Sequence, residues 1–174
     1  MRNLRLTLLV TIAILGSCCG ALAADSEIER GKYLVTLGSC NDCHTPGYFF
    51  GKPDFSRALS GSDVGFAIPG VGAFVGRNLT PDKETGLGNW TDDQIISAIT
   101  AGVRPDGRRL APIMPWQGLS HLTSEDARAI VAYLRSLPPV KNRVPGPFGA
   151  KEVPTTPVFV IVPGEVYGKL PKPQ

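Results

Sequence analysis

The stretch from Thr45 to Asn89 constrains this chain more than any other. It separates two segments of helical period, holds nine glycines and shows little regular pattern of its own. A loop of that length costs conformational entropy, and it counts against a compact domain unless it wraps something large and rigid. The pieces around Gly65–Ala67 and Ala73–Gly76 read as a short hairpin, which orders only part of it. The fold therefore turns on what the loop encloses.

The residues just before the loop answer that. Cys40-Asn41-Asp42-Cys43-His44 has the pattern C-x-x-C-H of c-type haem attachment. Two thiols two residues apart share one side of a tight turn and can add to the two vinyl groups of one porphyrin. The adjacent imidazole is then pinned beneath the iron as proximal ligand. Three rivals explain less. A thioredoxin-like pair expects a βαβ context, and here a helix precedes the motif and a Gly-rich loop follows it. A zinc site needs more ligands than the remaining His121 supplies. A structural disulfide leaves His44 without a role.

The first 24 residues read as an export leader. Arg2 and Arg5 form a positive start, Leu6 to Gly16 is apolar but too short to span a bilayer, and Ala21-Leu22-Ala23 supplies a small-residue cleavage pattern. Two other readings stay open, an uncut anchor and a lipoprotein signal on Cys18. All three place the rest of the chain across a membrane, in a periplasmic, oxidising compartment. No later segment is long and apolar enough to span. Removing residues 1–24 leaves 16 Lys and Arg against 15 Asp and Glu, with no basic run, so composition gives no argument for nucleic acid. It also leaves Met114 as the sole methionine.

Three helices are expected. Ser26-Glu27-Ile28-Glu29 is a capping-box pattern opening a helix to about Leu37, with Gly38 as its stop. Thr91-Asp92-Asp93-Gln94 is a second capping box, followed by Ile95, Ala98 and Ile99 at helical spacing and closed by Gly102. Thr123 or Ser124 caps the third, whose stripe is Ala127, Ile130, Val131 and Leu134, and Pro138-Pro139 ends it. From Pro138 to Gln174 the chain holds nine of its sixteen prolines and should be extended. Within it Val158 to Val162 is a lone strand-like run.

A sixth iron ligand is sought in Ala111-Pro112-Ile113-Met114-Pro115-Trp116. The flanking prolines hold a strap that can present the Met114 thioether rigidly, and such a ligand raises the potential of a His-ligated haem. The alternatives are that Met114 fills core, as methionines do, and that His121 takes the position. Trp90 is expected either to donate its indole N–H to a haem propionate or to pack against Ile95. Asn78 is expected to line the haem. Arg77, Arg104, Arg108 and Arg109 are candidates for propionate pairing, with solvated surface charge as the expectation for any single one.

These residues resemble the class I c-type cytochromes, and look most like the monohaem domains similar to cytochrome subunits of periplasmic alcohol and gluconate dehydrogenases. The resemblance covers about Ile28 to Leu137. It rests on Cys40 to Pro46, Asn78-Leu79-Thr80-Pro81-Asp82, Thr85-Gly86-Leu87-Gly88-Asn89-Trp90, Gly102-Val103-Arg104-Pro105-Asp106-Gly107 and Met114-Pro115. It implies one haem c held by thioethers from Cys40 and Cys43, with His44 and Met114 as axial ligands. It also implies a mainly α cytochrome c fold, its first and last helices crossing where Gly31 meets Tyr133. The dehydrogenase subunits usually carry three such domains, whereas this chain has one C-x-x-C-H.

The expected organisation is a leader over 1–24, a cytochrome c domain over 25–139 and a Pro-rich extension over 140–174. The expected role is one-electron transfer between a periplasmic donor, such as a dehydrogenase, and a respiratory acceptor cytochrome or oxidase, without substrate turnover. The alternative is a dedicated haem subunit docked on a dehydrogenase through Val158 to Val162. A third possibility is a catalytic or gas-sensing haem protein with a labile sixth ligand.

Overall fold

Gly31 allows the two longest helices to cross at close range. A Cβ there would run into the Ala129 carbonyl and lie 2.8 Å from Tyr133 Cβ, so only glycine permits this approach. The first helix, α1, runs through residues 26–37, and the last long helix, α5, is Ser124–Ser136. The expected pairing of Gly31 with Tyr133 is what the computed structural model shows; it describes residues 26–170. The expected leader and Cys18 lie outside the described residues. Ser26 is already helical.

The other helices begin where their caps dictate. In α3 (Asp92–Ala101) the Thr91 hydroxyl accepts from Gln94 N and the Gln94 side chain accepts from Thr91 N, a complete capping box. Gly102, left-handed at φ 67, ends it. In α5 the Thr123 hydroxyl accepts from Asp126 N at 3.1 Å, and the helix stops before Pro138. Between α1 and the loop lies a five-residue helix the sequence pattern did not reveal, α2 (Cys40–His44), entered through Ser39 in the left-handed region. Another short helix, α4 (Trp116–Leu119), follows the Pro-flanked strap. Among the described residues no helix is long and apolar enough to cross a membrane.

The core gathers where α1, α3, α5 and the loop meet. Val35, Leu59, Leu87, Ile95, Ile130, Val131 and Leu134 form one buried cluster, with Trp90 and Tyr133 packed on its rim. Burying such side chains stabilises by about 1.5–3 kcal/mol each. Arg30 and Asp126 clamp α1 to α5 through paired hydrogen bonds of 2.9 and 3.2 Å. Arg135 clamps α5 to the loop, donating to Asp92 Oδ1 and to the carbonyls of Leu87 and Trp90.

The long loop is less bare than expected. It carries two 3₁₀ turns, Tyr48–Phe50 and Phe55–Arg57, and the expected hairpin as β1 (Gly65–Ile68) and β2 (Gly72–Val75). The tail folds back upon it. Strand β3 (Phe148–Gly149) pairs antiparallel with β2, and β4 (Val158–Val160) pairs parallel with β1, giving the order β3-β2-β1-β4. A one-turn helix, α6 (Gly164–Tyr167), follows. Val158–Val160, expected as a strand that adds to a partner's sheet, is thus an edge strand of the chain's own sheet. Gly65 pairs with Val158 of the same chain, and Phe159 stacks on Phe66 at 5.7 Å.

Candidate functional site

Helix α2 places Cys40 and Cys43 on one face and buries His44 at its end. Both cysteines are thiols, not a disulfide. Burial pushes the Cys40 thiol up to about 11, and it raises Cys43 as well. A redox-exchange pair needs a depressed thiol, so the thioredoxin-like rival finds no support. Among the described residues no three His, Cys, Asp or Glu side chains cluster closely enough to hold a metal ion between them.

The imidazole of His44 is oriented from behind. Its Nδ1 lies 2.6 Å from the Arg77 carbonyl. A carbonyl only accepts, so Nδ1 carries the proton and Nε2 carries the lone pair. Burial lowers the His44 pKa, favouring this neutral form. A metal-binding histidine needs this arrangement: one nitrogen tethered, the other basic and free.

The tether depends on close backbone contact. Gly76 lies against α2, where a Cβ would collide with the Cys43 carbonyl and come within 3.4 Å of His44 Nδ1. Any larger residue would push the Arg77 carbonyl away from the ring. Thr45, fully buried, secures the other side: its hydroxyl donates to Asn41 Oδ1 and accepts from Leu59 N. Neither Gly76 nor Arg77 carried a signal of this role. Gly76 was one glycine among many, and Arg77 acts through its carbonyl, which no sequence pattern reports.

The amide of Asn78 is engaged by loop and tail. Its Nδ2 donates to Thr85 Oγ1 and the Val140 carbonyl, and its Oδ1 accepts from the Thr80 amide and hydroxyl. Those four bonds use its whole capacity. It is a buried brace between loop and tail. Trp90 packs on the core cluster that includes Ile95, with the Arg104 guanidinium 5.2 Å from its ring centroid.

The arginines divide. Arg108 is exposed and chelates Asp106, which it draws down to about 2. Arg109 lies over Trp116. Arg77 is not a solvated charge: its Nη1 donates to the Val144 carbonyl at 2.6 Å. Burial, together with the nearby Arg104 and Arg108 charges, lowers its pKa. Arg104 Nε is buried without a hydrogen-bond partner, the Asp106 carboxylate standing 3.6 Å away. A buried cationic donor left without a hydrogen bond, with only the longer Asp106 ion pair beside it, has room for a further carboxylate such as a haem propionate.

Met114 is half-buried and closes a turn in which its N–H donates to the Ala111 carbonyl at 3.0 Å. The strap is anchored just beyond it. A Cβ on Gly102 would lie 2.6 Å from the Trp116 ring, so Trp116 sits directly on the end of α3. His121 is exposed in the turn before α5. The residues present therefore fit a covalent haem: two neighbouring thiols, a tethered imidazole and a buried guanidinium nitrogen with no hydrogen-bond partner.

Comparison with known proteins agrees. The family model described as cytochrome c matches residues 28–138. The cytochrome subunit of fructose dehydrogenase from Gluconobacter japonicus is 34% identical over 138 residues, covering 75% of this chain and 26% of that protein. The cytochrome c subunit of gluconate 2-dehydrogenase from Pantoea cypripedii is 33% identical over 125 residues, covering 69% and 26%. A diheme cytochrome c-type protein of Cereibacter sphaeroides is 38% identical over 117 residues, covering 65% and 37%. The chain thus spans about a quarter to just over a third of the length of these relatives. With haem c as its covalent cofactor, this chain belongs to the cytochrome c family.

Proposed function

We propose that the chain is an exported, periplasmic, single-haem electron carrier, passing one electron at a time from a dehydrogenase to a respiratory acceptor cytochrome or oxidase. The carrying observation is the His44 tether to the Arg77 carbonyl beside two unpaired thiols. Haem c supplies the redox couple when bound; the protein supplies attachment, axial ligands and surroundings. Cys40 and Cys43 would hold the porphyrin through their sulfurs, and His44 Nε2 and the Met114 sulfur would bind its iron. The anchored strap around Met114 and the exposure of His121 favour the thioether over the second imidazole.

Met114→Ala tests the ligand set. The variant is expected to keep its covalent haem, lose the sulfur-to-iron charge-transfer band of the ferric spectrum and show a lower potential. An unchanged spectrum would sink Met114 as ligand. Rapid, complete carbon monoxide binding by the reduced wild type at neutral pH would instead favour a gas-binding haem.

The names of the relatives favour a second reading, a haem subunit within a dehydrogenase complex. Purification of the tagged protein from its native membrane and periplasm distinguishes them. A carrier emerges alone; a subunit brings its dehydrogenase at fixed stoichiometry.

A further inference from the structure

The tail beyond residue 138 lies outside the segment matched by the family model, yet it grips the loop behind the histidine at successive points. The Val140 carbonyl accepts from Asn78 Nδ2 at 2.7 Å, and Val140 N donates to Thr80 Oγ1 at 3.1 Å. Asn142 donates to Thr85 Oγ1 through its backbone and to the Ser60 carbonyl through its side chain. The Val144 carbonyl takes Arg77 Nη1 at 2.6 Å, and Val144, itself buried, fills the space above Gly61. Gly61 N in turn donates to the His44 carbonyl at 2.8 Å. Farther on, Thr156 donates to the Asp63 carbonyl, and β4 closes on β1.

Arg77 is where this grip reaches the site. Its guanidinium is held by the tail while its own carbonyl holds His44 Nδ1. Its neighbours are fixed on either side, Gly76 against Cys43 and Asn78 against Val140. The peptide that sets the direction of the imidazole therefore has its side chain fastened to the extension. We propose that the C-terminal extension is a strap that positions the proximal histidine, with Arg77 as the positioning residue linking Val144 to His44. The strap holds the Arg77 carbonyl at bonding distance, keeps the Nδ1 proton engaged and so keeps Nε2 electron-rich toward the iron. Loosening it weakens the Nδ1 hydrogen bond and moves the potential of the holoprotein without touching an axial ligand.

This rests on the haem-carrying reading, so the experiment separates the two. Intact mass first establishes one covalent haem on the wild type; a wild type without haem sinks the underlying reading. On the reduced, haem-loaded protein, NMR then follows solvent exchange of the His44 Nδ1 proton, with the Ile130 amide in α5 as an internal reference for global opening. Arg77→Met keeps the apolar stem and removes the donor; Arg77→Lys retains a donor. Arg77→Met should speed Nδ1 exchange roughly fivefold, the effect of losing one ordinary hydrogen bond, and shift the midpoint potential, with Ile130 unchanged. Arg77→Lys should restore both readouts toward wild type. A chain ending at Pro139 should behave like Arg77→Met, and combining the two changes should add little. Wild-type Nδ1 exchange in Arg77→Met overturns the proposal. So does equal acceleration at Ile130, or failure of Arg77→Lys to restore. If the truncated chain does not fold, the two full-length variants decide alone.

Discussion

Replacing Gly31 with alanine tests the helix crossing on which the domain is built. Two effects oppose each other. Alanine is the better helix former by about 1 kcal/mol. Against this, its Cβ meets the Ala129 carbonyl and lies 2.8 Å from Tyr133 Cβ, where ordinary contact begins at 3.4 Å. The obstacle is backbone on one side, so no rotamer change relieves it, and α1 must lift from α5. That movement loosens Val35 from the core and stretches the Arg30–Asp126 pair. Overpacking of this kind costs about 1–3 kcal/mol, and a backbone clash belongs at the top of that range. The net is a loss of about 2 kcal/mol, or roughly a 4–8 °C drop in Tm for a domain of this size. The assay is thermal unfolding of the haem-loaded protein, followed by far-UV circular dichroism. Gly118→Ala in α4 is the control, since a Cβ there meets nothing within 4 Å; it should leave Tm unchanged or raise it slightly. An unchanged or higher Tm for Gly31→Ala would refute the close-crossing argument.

Three further outcomes follow from local chemistry. Thr91→Ala removes the side-chain acceptor of the α3 capping box and should cost about 1 kcal/mol, read as a lower urea midpoint at constant slope. Asp106 is held down to about 2 by its hydrogen bonds from Arg108. Its folded pKa lies below the unfolded value near 4, so its contribution is present above that value and fades as pH falls toward 2. In Arg108→Ala a carbon-detected NMR titration should find Asp106 back near the ordinary carboxylate range; an unmoved midpoint contradicts the pairing. Cys40→Ser or Cys43→Ser should lower haem incorporation, measured by intact mass and by haem staining under denaturing conditions.

What could be read from the residues follows the range of the interactions. The caps at Thr91 and Thr123, the stop at Gly38 and the stripe of Ile130, Val131 and Leu134 are set within a few positions, and their helices stand where the pattern puts them. The C-x-x-C-H motif is equally local, because one short turn carries all three side chains. Pairings across the chain have no such signature. Val158 to Val162 shows itself as a strand, but nothing in it names Gly65 to Ala67 as its partner. The roles of Arg77 and Val144 are invisible for another reason, since both lend a backbone carbonyl that every residue possesses. Asn78 stands out in its motif, but the sequence does not name Thr80, Thr85 and Val140 as its partners, because an amide serves many donors and acceptors equally well.

The parallel pairing of β1 with β4 also bears on the order of assembly. A chain made from its N-terminus presents β1 and β2 long before β4 exists. Before β3 and β4 exist the hairpin is a two-stranded ribbon, a marginal structure, and the β1 edge stays open until β4 arrives. The distant closure that completes it is slow, because the entropy of gathering the intervening chain is lost before any contact forms. The sheet therefore cannot be complete until β4 has been made, by which point α3 and α5 are already part of the chain. A chain cut short anywhere before Val158 would leave the β1 edge open to a neighbouring molecule.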